Sequence, residues 1–72
     1  MNKSYIVVIG VYDPYTTEQI VLKETKVDAR DQYAAHKISL FKCNTLNHQT
    51  VLRVLDYNTK RVLFDHLKGF NG

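Results

Sequence analysis

Residues 5–12 read Tyr-Ile-Val-Val-Ile-Gly-Val-Tyr, a run with no polar break. In a strand, successive side chains point to opposite sides, so Tyr5, Val7, Ile9 and Val11 share one face while Ile6, Val8, Gly10 and Tyr12 share the other. Both faces are therefore apolar. A chain of 72 residues has room for about one helix beside a sheet, and one helix covers one face. The other face calls for different cover: a curled sheet, a second copy of the chain, or another protein.

The length reinforces that demand. A single domain of this size buries only about 60% of the surface its unfolded chain exposes, and its stability is marginal. Disulfides, metals and association are the usual remedies. One cysteine, Cys43, rules out an internal bridge and the paired-cysteine zinc frameworks. Association is what remains. The lack of a disulfide framework fits a cytoplasmic protein. The apolar run after Met1-Asn2-Lys3 is too short for a secretory leader, and no stretch nears the roughly 20 apolar residues of a membrane helix.

The rest of the chain parses into alternating turns and periodic segments. Asp13-Pro14-Tyr15-Thr16-Thr17 is a turn, because proline pre-sets φ and aspartate can bond the backbone beyond it. Residues 19–27, with Ile20, Val21, Thr25 and Val27, predict a second strand. At Asp28 the period changes. Asp28 reads as an N-cap with Asp31 three residues on, and residues 29 to about 42 suit a helix. At about 100° per residue Tyr33, Ala34, Ile38, Leu40 and Phe41 fall on one arc, opposite Asp31, Gln32, Ala35, His36, Ser39, Lys42 and Cys43. That apolar arc is the expected core face. A polar loop over residues 44–49 leads to strands at 50–57 and 61–67, joined by Asn58-Thr59-Lys60. Residues 68–72 read as a frayed tail.

The order β-β-α-β-β implies an α+β fold: a four-stranded antiparallel sheet, in the order 2-1-3-4, with one helix packed on one face. The expected core is Ile6, Val8, Ile9, Val11, Leu22, Ala34, Ile38, Phe41, Leu52, Val54, Val62 and Phe64.

Chemistry-bearing arrangements are scarce. Cys43 and His36 stand seven residues apart, roughly 10 Å along a helix, too far to form a nucleophile–base pair. His36, His48 and His66 show no metal-ligand spacing. Asp56 and Asp65 lie in adjoining strands, where Arg53 and Arg61 explain them as polar sheet positions. There is no glycine-rich phosphate loop. The chain reads as a non-enzyme with no cofactor and no metal.

Aromatic placement stands out instead. Tyr12 and Tyr15 bracket the first turn, and Tyr57 adjoins the second beside Lys60 and Arg61. Tyrosines at loop tips supply large area with a polar tip and are frequent interface anchors. Tyr12, Tyr15, Tyr57, Lys60 and Arg61 are thus the expected partner-binding residues, for a protein partner or a homodimer. The net charge of +3, from ten Lys/Arg against seven Asp/Glu, leaves a nucleic-acid alternative in which Lys23, Lys26, Arg30, Lys37 and Arg53 meet phosphates. In size and make-up the chain resembles the small accessory proteins that bacteriophages use to disable host enzymes or defence systems. The likeness is one of general character and no motif carries it. It implies an inhibitor acting in the host cytoplasm.

Overall fold

In the computed structural model, which describes residues 2–71, the elements are β1 (Lys3–Tyr12), β2 (Gln19–Ala29), α1 (Gln32–Phe41), β3 (Gln49–Asp56), β4 (Val62–Asp65) and β5 (Gly69–Phe70), with a 3-10 turn at Thr45–Asn47. The strands form one antiparallel sheet in the order β2-β1-β3-β4-β5. The expected order 2-1-3-4 holds, with a fifth strand added. Gly69 and Phe70 pair with Asp65 and Phe64, within the stretch whose composition suggests a frayed tail. Gly72 lies outside the described residues. The strand is made by Gly69, whose φ of 81° reverses the chain where a side chain would be strained.

Tyr5, Val7 and Ile9 of β1 meet Val51 and Val54 of β3, Phe64 of β4 and Ala29 of β2 in one buried cluster, closed by Ala35 of α1. Val8 and Leu52 stand outside that cluster yet are 2% and 0% exposed. Bulges explain how. Three of the four pairings slip once: Leu22 is extra opposite Ile9 and Gly10, Leu52 is extra opposite Val8 and Ile9, and Leu63 is extra opposite Val54 and Leu55. Each such insertion bends a strand and tightens its twist. The sheet curls on itself around Gly10, where an added Cβ would strike the Ile20 carbonyl oxygen and lie 2.7 Å from Leu52 Cδ1.

The second apolar face is thus closed largely by the chain itself. The Arg53 guanidinium reaches across β1 to Gln19 Oε1 at 3.1 Å, and its stem helps to roof that side. Ile6, Leu55 and Val62 are half-buried there.

The helix departs from expectation in its boundary and its facing. Asp28 belongs to β2 and accepts a hydrogen bond from Ser4 Oγ at 2.7 Å. The cap is Asp31, whose carboxylate accepts the Ala34 N–H at 2.8 Å. The buried residues of α1 are Ala35 and Ser39, while Phe41 is 81% exposed and Ile38 and Leu40 are also exposed. The arc expected outside lies inside. Tyr5 and Phe64 already fill the space between the layers, so small side chains let the helix seat closely. The two-residue connection Arg30-Asp31 holds that rotation. Leu22, expected in the core, is likewise exposed on β2, whereas Tyr5, Val7, Ala29, Ala35 and Val51 are core residues outside the expected set.

Candidate interaction surface

Helix and sheet differ in reach. Ten residues of α1 extend about 15 Å, whereas ten of β1 extend about 33 Å. The helix starts where Ala29 pairs with Lys3 and runs toward the β1–β2 turn. It ends near Lys23, whose charge is felt by Cys43, and Lys23 pairs with Ile9. Beyond that level the hairpin has no helix over it. Ile20 is 60% exposed there, and Val21 and Leu22 beside it are about half exposed.

The loops at this end add apolar surface. Asp13 organises the first: its carboxylate accepts the Tyr15 N–H at 2.8 Å, its own N–H donates to the Glu18 carbonyl at 3.0 Å, and Thr17 N–H donates to its carbonyl at 2.8 Å. The Tyr15 N–H bond, foremost, holds the Asp13 carboxyl below its usual range. Pro14 and Tyr15 project from this frame, and Tyr15 is 95% exposed. A hollow of about 340 Å3 opens between the turn and the α1–β3 connection, lined by Val11, Tyr12, Asp13, Pro14, Tyr15 and His48. From the same connection Leu46 projects 89% exposed, five residues past Phe41. Tyr12 itself turns to the other side and packs edge-on against His66, ring centres 4.6 Å apart.

The other expected contact residues sit at the far end. Tyr57 follows β3, and its N–H donates to the Ser4 carbonyl at 3.2 Å, at the start of β1. Lys26 Nζ and Lys60 Nζ lie 4.9 and 4.5 Å from its ring centre, cation–π distances that hold the ring in place. Arg61 is exposed beside them. Tyr12 and Tyr15 are brought together, as are Tyr57, Lys60 and Arg61, but the two groups lie at opposite ends of a molecule 38 Å long.

The five cations of the nucleic-acid alternative also disperse. Lys26 and Arg53 pair with Ile6 and Val8, on the sheet side opposite α1. Lys23 adjoins Cys43 on the helix side, Lys37 is exposed on α1, and Arg30 is 3.6 Å from Asp31.

Of the three histidines, His36 is the one half-buried against the aromatic rings between α1 and the β4–β5 edge. It packs tilted against Phe64 and edge-on to Phe70, ring centres 4.3 and 5.4 Å away. Burial, and secondarily the His66 charge, lowers its pKa from the ordinary value. Burial raises that of the Cys43 thiol, against the opposing effect of Lys23. Among the described residues no group of three or more His, Cys, Asp or Glu side chains is placed to hold a metal ion, and no helix is long and apolar enough to cross a membrane. Asp56 and Asp65 do not form a pair. Each instead accepts backbone N–H bonds within its own turn.

One sequence signal marks this geometry. Asp13, Asn44, Asp56 and Asp65 each open a loop, and the fourth residue beyond each (Thr17, His48, Lys60 and Gly69) has positive φ. The spacing of an Asx residue to a left-handed residue thus marks all four loops. No family model, curated protein or solved structure matches this chain.

Proposed function

We propose that this protein is a non-enzymatic interaction module that binds another protein and modulates it by covering part of its surface. The carrying observation is the exposure of Tyr15 and Ile20 at the end of the β1–β2 hairpin beyond α1, together with Phe41 at the C-terminus of α1 and Leu46 in the connection that follows it, each at least 60% exposed. Large apolar side chains left exposed on a domain this small mark contact sites. The hollow beside Tyr15 offers a recess for one partner side chain, and an aromatic rim is a common source of binding energy. Tyr57, Lys60 and Arg61, at the opposite end, form a separate cationic edge. Inhibition is the expected consequence when the covered surface is the partner's working site.

The nucleic-acid alternative draws less support, because Lys23, Lys26, Arg30, Lys37 and Arg53 face several directions and do not line one track.

Capture from lysate of the source cells, comparing the native chain with a Tyr15→Ser, Phe41→Ser, Leu46→Ser variant, tests the reading. A protein retained by the first and lost by the second, with circular dichroism unchanged, is the expected result. Retention of the same protein by both, or of nucleic acid with steep salt dependence, overturns it.

A further inference from the structure

β2 and β5 are the two edges of the sheet. β5 has two residues and β2 eleven, so β2 presents a row of backbone N–H and C=O groups about 36 Å long. Lysines on such an edge ordinarily repel a passing strand. Here Glu24 stands between Lys23 and Lys26, and all three side chains are exposed. We propose that two copies of the chain pair antiparallel along β2, about a two-fold axis through Thr25, into one continuous sheet.

Symmetry selects the register. A two-fold axis relating adjacent antiparallel strands stands perpendicular to the sheet, so both helices lie on the same side. Residues that face each other across the axis must then share a sheet face within their own chain. Thr25 and Val27 pair with Val7 and Tyr5 on the helix side, whereas Glu24 and Lys26 pair with Val8 and Ile6 on the other. Only registers centred on a residue satisfy this.

A centre on Glu24 sets two glutamates face to face. Centres on Lys23 or Lys26 do the same with lysines. A centre on Val27 matches Lys26 with Asp28, but its ladder stops at Ala29, where β2 ends. The centre on Thr25 sets Glu24 against Lys26 of the second copy, twice, and Lys23 against Val27. All five positions lie in the regular stretch beyond the Leu22 bulge. The charges that repel other strands are complementary to their own antiparallel copy.

The assembly brings Val21 and Leu22 of β2 opposite Ala29 and Asp28 of the second copy and leaves Tyr15, Phe41 and Leu46, which lie outside β2, free: the two hairpin ends point in opposite directions, which makes the dimer bivalent.

Charge reversal tests the pairing by sedimentation equilibrium at low salt. The native chain is expected to dimerise, and Glu24→Lys and Lys26→Glu are each expected to be monomeric, with unchanged circular dichroism. Mixed in equal amounts, the two variants should recover the dimer, because every reversed position then meets an opposite charge. The Tyr15→Ser, Phe41→Ser, Leu46→Ser variant should dimerise as the native chain does, so loss of partner binding and loss of the dimer are separate results. A native chain still monomeric at about 1 mM, a dimer indifferent to both reversals, or a mixture that stays monomeric overturns the proposal.

Discussion

Asp31 and Asp28 show how little separates a cap from a strand residue. Both are aspartates near a change of period, but only Asp31 accepts a backbone N–H of the first helical turn. Asp31→Ala is expected to lower stability by about 1 kcal/mol in urea unfolding. Thr17 and Lys60 are the residues held at φ of 62° without being glycine, a conformation costing an L-residue about 1–2 kcal/mol. Exchanging either for glycine, which also loosens the unfolded chain, should leave a net gain below about 1 kcal/mol in the same assay. Gly10 behaves in the opposite way. Its missing Cβ is the condition for β2 and Leu52 to close over it, so Gly10→Ala is expected to destabilise the fold by about 1–3 kcal/mol or more.

Helix α1 contributes to the core through its small face. Phe41→Ala should therefore change the unfolding midpoint by no more than about 0.5 kcal/mol equivalent, whereas Ala35→Leu should overpack the layer. The aromatic group of Tyr33, His36, Phe64 and Phe70 ties α1 to β4 and β5, and it makes the element sensitive to pH. Because the folded state holds the His36 pKa below its unfolded value, the unfolded chain binds the proton first. Stability is then fully present above about pH 6.5 and falls as the pH drops below it. Urea unfolding at pH 7.5 and 5 should show this decline. His36→Phe, which keeps the aromatic packing and removes the titration, should reduce it.

The whole molecule is shaped by curvature. Three leucine-bearing bulges coil the sheet until Val8 and Leu52 are enclosed without a second layer of helices. Leu52 is fully buried beside Gly10, and Leu52→Ala should cost about 2–5 kcal/mol. It should also expose apolar surface, read as increased dye binding in the folded baseline. The apolar excess remains at the hairpin's distal end because α1 is about half the length of β1.

The two hairpins, the antiparallel sheet and the central place of residues 5–12 were legible from the sequence, since periodicity and turn residues are local properties; which strand of the second hairpin lies beside β1, and that a fifth strand follows β4, are not local and were not. So was the prominence of Tyr15, which follows from a proline turn framed by aspartate. The two tyrosine-bearing turns lie at opposite ends because one follows β1 and the other follows β3, which runs antiparallel to it. That separation was available once the order was known. Only the tertiary structure decided which side of α1 faces inward. Hydrophobic periodicity favoured Phe41, but the space left by Tyr5 and Phe64 admits Ala35 and Ser39. Only the tertiary structure also decided how the second face of β1 is covered. A bulge is a choice of pairing between two strands, and nothing in the run of residues 5–12 alone specifies where its neighbours slip.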